Sequence, residues 1–287
     1  MREKLEAMVY ASLIADALTN NDAPEQSTTS ELVLEPGLYG METIALLRAL
    51  VDHGGYDRDT FLREWQISLQ QELASRRSLE ELDAGRQALL ESASGSGARS
   101  TTSDIAAACR IAPLAYLYHD HKQELLESVT AQAELAYSDP KLTETALFLA
   151  YTAWEVLNGH TPSAAMQRVL DNQELPQISD LIRMGLEEPH GPETGPIGTL
   201  STGSGIAEAL PALVHIIVNH EGNLRRALQT NREADGAVSG RGMAIGLILG
   251  AFHGMDGIPE EWQTGLSVSD EVATLLDELD SRLGHSA

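Results

Sequence analysis

In the stretch SGRGMAIGLILGAFHG, Ser239 to Gly254, glycine stands at 242, 246, 250 and 254. Four-residue spacing puts these positions on one face of an α-helix. The face is a smooth ridge, and the residues between the glycines are mostly apolar. A glycine inside a helix costs about 1 kcal/mol relative to alanine. A helix with so many of them needs a compensating contact, and close approach of a second backbone supplies one. This run constrains the fold more than any other: it predicts a helix packed directly against another element.

Helical periodicity continues elsewhere. Leu5, Met8, Val9, Ser12, Leu13 and Asp16 share a face of the first helix. Ile44, Leu47, Leu50 and Val51 form a second stripe that ends at Gly54, and Phe61, Trp65, Ile67 and Leu69 mark a third helix. Ser78 and Glu81 have capping-box spacing. Asp104 is placed to cap the Ala-rich segment IAAACRIAPLAYLY, which Pro113 interrupts. Ser138 or Asp139 before Pro140, and Thr161 before Pro162, are helix starts; Gly159 is a stop. No run alternates convincingly as a strand; ELVLEPG is the best candidate, and it is short. The stretch from Glu187 to Gly205 holds three Pro and five Gly, so no regular element fits there. The reading is one all-α domain over residues 1–287, of about a dozen helices, with no dividing linker.

The 287 residues include 43 Asp plus Glu against 19 Lys plus Arg, a net charge of -24. Such a surface repels phosphate backbones, so nucleic acid is not an expected partner. The charge favours solubility in a salty medium that screens it; a basic partner is the other reading. A lone thiol, Cys109, cannot form an intrachain disulfide and reads as a small core residue on a helix. No signal peptide is expected, and no apolar run reaches ~18 residues, so a cytoplasmic protein without membrane contact is expected.

Several segments, in order, resemble the ADP-ribosylglycohydrolase family. YASLIADALTN is similar to its opening small-residue helix, and TIALLRALVDHGGYDRDTFLREW to its second and third helices. CRIAPLAYLY resembles its Met-Arg-hydrophobic-Ala-Pro-Leu segment. AYSDPKLTETALFLAYTAWEVLNG resembles its Thr-His-x-Asp-Pro helix start, TGSGIAEALPALVHII its Gly-rich loop, and GLILGAFHGMDGIPEEW its closing motif. The resemblance spans roughly residues 8 to 262. It implies an all-α fold, two metal ions, Mg²⁺ or Mn²⁺, in a central cleft, and hydrolysis of a glycosidic bond to ADP-ribose. Such ions need oxygen ligands, which the family supplies as Asp.

Here this chain departs from the family. The Thr-Asp-Asp-Thr run falls on Gly37-Leu38-Tyr39-Gly40. The acids of the Gly-Gly-Asp-x-Asp-Thr run fall on Ala237 and Ser239, and the His of Thr-His-x-Asp-Pro falls on Tyr137. The resemblance therefore implies a catalytically degenerate member, with no catalytic residue, no metal ligand and no cofactor expected, and a ligand-binding, regulatory or structural role. The alternative is an active hydrolase with a rearranged site drawing on Asp16, Glu35, Glu42, Asp104 and Asp235. Candidate ligand-binding residues are Asp16, Asp104, Gly203, Ser204, Gly205 and Asp235. Asp16 lies where the family has its first-helix Asp and either bonds backbone at its own helix end or lines the cleft. Gly203-Ser204-Gly205 precede a helix start, where free N–H groups favour anions. The expected partner is an ADP-ribose-like small molecule or an ADP-ribosylated protein.

Overall fold

The computed structural model describes residues 1–20, 32–75, 100, 104–188, 197–200 and 203–282. The predicted capping box at Ser78 and Glu81 and most of the loop before Asp104 lie outside them. Among the described residues the chain forms thirteen α-helices and no strand. They are α1 (Arg2–Asn20), α2 (Leu38–His53), α3 (Arg58–Ser75), α4 (Ala112–Leu117), α5 (Lys122–Ala133), α6 (Pro140–Leu157), α7 (Pro162–Asn172), α8 (Ser179–Glu187), α9 (Ile206–His220), α10 (Leu224–Glu233), α11 (Val238–His253), α12 (Glu260–Gly265) and α13 (Ser269–Arg282). Short 3₁₀ turns span Ile105–Ala108 and Met255–Gly257. No helix among the described residues is long and apolar enough to cross a membrane.

The core is built on α1 and α11, which run antiparallel in backbone contact. Gly242 faces Ala15, Gly246 faces Ala11 and Gly250 faces Ala7. A Cβ at Gly246 would fall on the Ala11 carbonyl and lie 2.6 Å from the Ser12 nitrogen; one at Gly250 would lie 2.8 Å from the carbonyl carbon of Ala7. Three of the four glycines thus form the predicted ridge. Gly254 does not: it ends α11 with φ +72°, its N–H on the Gly250 carbonyl. Both helices are buried nearly all round, as elements enclosed by others must be.

Local signals place most ends. Asp139 and Thr161 cap α6 and α7, with Pro140 and Pro162 at the first helical positions. Gly54 closes α2 in the left-handed region, φ 80°. Pro113 divides the Ala-rich segment: Asp104 caps only the 3₁₀ turn, and α4 starts anew at Ala112. Cys109 is buried just after that 3₁₀ turn rather than within a helix, its Sγ on the Ile105 carbonyl at 3.2 Å. Among its described residues ELVLEPG forms no strand, in line with the all-α reading: Leu34 pairs in an isolated bridge to Leu266. One expectation fails. Ile67 is 41% exposed, because it lies off the Phe61, Trp65 and Leu69 stripe, which repeats at four residues.

Gly246→Ala tests the backbone contact. Propensity alone favours alanine by about 1 kcal/mol, but the added methyl meets backbone that cannot rotate away. We expect a net loss of about 1–3 kcal/mol in urea unfolding, with Gly222→Ala, whose added methyl meets nothing within 4 Å, close to neutral. A Gly246→Ala protein as stable as wild type would mean that the helices do not touch there.

Candidate functional site

The register of α1 on α11 brings the last turn of α1 beside the first turn of α11, and Asp16 beside Ser239. Asp16 is fully buried. Its Oδ1 accepts a short hydrogen bond from the Ser239 hydroxyl. Its Oδ2 accepts from Gly37 N at 2.6 Å and Gly40 N at 2.9 Å, at the start of α2. Gly37 is the N-cap of α2 and has no side chain to cap it; Asp16 supplies the missing acceptor from another helix. The carboxylate therefore bonds backbone at the beginning of α2, not at the end of its own helix. Burial raises its pKa, the three donors oppose that rise, and the charge of Glu42 adds to it.

Glu42 lies one helical turn into α2, completely buried. It forms an ion pair with the buried Arg110, Oε2 to Nη1 at 2.6 Å. The guanidinium carbon stacks 4.1 Å from the centre of the Trp65 ring and 5.6 Å from that of Tyr137. This pair was not legible as a pair. Its signal was two charges in apolar surroundings, Glu42 in METIALL and Arg110 in CRIAPL, each of which needs a partner when buried.

Asp104 and the Gly203–Gly205 loop meet. Asp104 pairs with Gly205 in an isolated antiparallel bridge, and Ile105 N donates to Ser204 O at 3.2 Å. The Asp104 side chain accepts from Ala106 N. Ala106 in turn touches α11, where a Cβ on Gly240 would lie 2.7 Å from its Cα. The starts of α2, α9 and α11, the end of α1 and the 3₁₀ turn thus surround one region. Gly205 caps α9 without a side chain, but the Glu208 side chain packs over Gly203. An open groove of about 330 Å³ continues beside it, with Met184, Leu200 and Pro211 in its wall and Glu187, Glu188 and Glu208 among its lining.

Asp235 stands apart. It is exposed, with φ 60°, and accepts the N–H of Gly236. Its carbonyl and that of Asn231 receive the buried Arg241 guanidinium, which closes the C-terminal end of α10; burial pushes the Arg241 pKa down to about 10. Of the histidines, His215 is buried and bonds Asn219, and His253 bonds the Glu221 carbonyl. Among the described residues no three His, Cys, Asp or Glu side chains gather as a metal ion requires.

A family model described as ADP-ribosylglycohydrolase matches residues 2–286. No curated protein sequence matches the chain. Forty-seven chains of solved structure do. One of them, described as "ADP-ribosylglycohydrolase-related protein complex", superposes with a TM-score of 0.71 at 18% identity, covering 98% of this chain and 99% of that one.

Asp16 variants separate its hydrogen bonding from its charge. Asp16→Ala leaves two buried N–H groups and a hydroxyl unmatched, and we expect a loss of about 2–4 kcal/mol in urea unfolding. Asp16→Asn keeps an acceptor for α2 and is expected to lose less. Because the folded-state pKa is raised, the stabilising contribution of protonated Asp16 is full below the usual carboxylate range and is lost as pH rises through the folded value. The deficit of Asp16→Asn relative to wild type should therefore shrink as pH rises from that range. A deficit independent of pH would show that Asp16 does not titrate there.

Proposed function

Because the chain belongs to the ADP-ribosylglycohydrolase family, we propose that it is a member without dimetal hydrolysis, whose cleft serves as a binding surface for an ADP-ribose-like group, free or carried on a protein. The observation that carries this reading is the state of Asp16: both its oxygens are engaged, by α2 amides and by Ser239.

The cleft residues do not fit the two divalent cations that the family implies. Such ions take several oxygen ligands, mostly carboxylates and waters. The first family run offers Gly37, Leu38, Tyr39 and Gly40, and the second offers Ala237 and Ser239. Gly40, next to the two replaced acid positions, packs against Asp16 itself: even a Cβ there would lie 2.6 Å from Asp16 Oδ2. A rearranged site would draw on carboxylates with other tasks: Glu42 pairs with Arg110, Asp104 caps a turn, and Asp235 closes its own turn.

Retention of binding is supported by the meeting of Asp104 with Gly203, Ser204 and Gly205 at the start of α9, beside an open groove. The acidic lining of that groove opposes a free diphosphate, so affinity is expected only in the millimolar range at low salt.

Two measurements test the reading. Melting with millimolar Mg²⁺ or Mn²⁺ should show no shift, whereas a metal at 100 times its Kd would add ~2.7 kcal/mol; metal-dependent release of ADP-ribose from modified arginine or serine substrates would overturn it. Titration with ADP-ribose should give a weak signal that Gly203→Val reduces, because a Cβ at Gly203 already lies 3.1 Å from Glu208 Cγ. A silent titration would remove the ligand and leave a structural role.

A further inference from the structure

We propose that Asp16 has become the N-terminal cap of α2, and that this packing fills the place where the family holds its metals, so that carboxylates put back at the replaced positions recover no metal binding. The inference rests on the non-hydrolytic reading above and goes beyond it. That reading says ligands are missing; this one says the space and the charge balance have been taken as well.

Space comes first. Gly37 N and Gly40 N sit 2.6 Å and 2.9 Å from the same Asp16 oxygen. Gly40 is also confined on its other side, where a Cβ would lie 2.8 Å from Pro36 Cβ. A Mg²⁺ ion must lie about 2.1 Å from each ligand oxygen. It would have to enter between Asp16 and amides already in hydrogen-bond contact with it.

Charge comes second. The start of a helix carries a partial positive charge, about half an elementary charge. Asp16 faces that end of α2. A cation bound at Asp16 would therefore face the positive end of α2 and the N–H groups themselves. Glu42, the carboxylate whose charge acts on Asp16, already has a cation in Arg110. The two buried acids thus have their positive partners, a helix end and a guanidinium, within the chain. Ser239 completes the set by donating its hydroxyl to the second Asp16 oxygen. An aspartate there would remove that donor and set two carboxylates face to face.

The test uses the full chain. Wild type, Ser239→Asp, Ser239→Asn and the combined Leu38→Asp, Tyr39→Asp, Ala237→Asp, Ser239→Asp protein are melted with and without millimolar Mg²⁺ or Mn²⁺ and titrated with each metal by calorimetry. Ser239→Asp should melt below Ser239→Asn, neither metal should restore it, and the combined variant should give no saturable heat. Recovery of the Ser239→Asp melting temperature by about 5 °C or more on adding metal, or saturable heat in the combined variant, overturns the inference. Ser239 is half-buried, so the single variants keep the test decisive if the combined one does not fold. Amide exchange supplies an independent readout: Gly37 and Gly40 should be protected in wild type and lose at least tenfold protection in Asp16→Ala. Free exchange of both amides in wild type overturns the capping role. If wild type itself shifts with metal, the non-hydrolytic reading fails; if wild type is silent and a variant responds, only this inference fails.

Discussion

The contact between the backbones of α1 and α11 fixes what meets around Asp16. Glycine and alanine face each other at 242 and 15, 246 and 11, and 250 and 7. A slip of one residue along either helix would push a full side chain into backbone, so the register is set sterically, to within a residue. The paired residues of the seam carry nothing larger than a methyl group, and the contact is held by dispersion and by what the outer faces of both helices bury. The register decides which residues meet at the end of the seam. Asp16 follows Ala15, and Ser239 precedes Gly242 by nearly one turn, so the carboxylate and the hydroxyl meet without any adaptation of their own.

Beyond the seam, the energetic problem is buried charge. Asp16, Glu42, Arg110 and Arg241 are all buried in a chain whose surface carries a large negative excess. Each is handled differently. Asp16 takes a helix start and a hydroxyl, Glu42 and Arg110 take each other, and Arg241 takes the carbonyls at a helix end. Helix termini serve both signs, N–H groups for the anion and carbonyls for the cation. Buried ion pairs such as Glu42 with Arg110 add little net stability over an apolar replacement, but removing one partner is costly. Their effect is to tie α2, α3 and the segment before α4 into one arrangement, through the stacking of Arg110 on Trp65.

What was legible in the sequence follows the range of the interaction. Asp139, Thr161 and Asp104 cap segments two or three residues away, so residue type and the adjoining Pro or Ala reveal them. The glycine ridge was legible because its period is that of one helix; the partner was not, since Ala7, Ala11 and Ala15 look like ordinary helix formers. Gly254 misled because its spacing continues the ridge while its left-handed backbone ends the helix. Asp16 was recognised as a residue needing partners. Two of its partners lie 21 and 24 residues on and are backbone groups of glycines, which carry no mark in the sequence; the third, Ser239, lies 223 residues on. The pairing of Glu42 with Arg110, 68 residues apart, was invisible for the same reason.

A carboxylate buried at a helix crossing has a short list of partners: a metal ion, a basic side chain, or a set of N–H and O–H donors. The first requires further carboxylates around the ion, and those repel one another strongly without it. The third requires no acids beyond the one being satisfied. Gly37, Gly40 and Ser239 give Asp16 the third kind of partner, donors that bring no further negative charge to it. Glycine at 37 and 40 goes further, because without side chains the amides themselves can reach the carboxylate. One packing solution thus joins α1, α2 and α11 at Asp16, through donors that all lie within the chain.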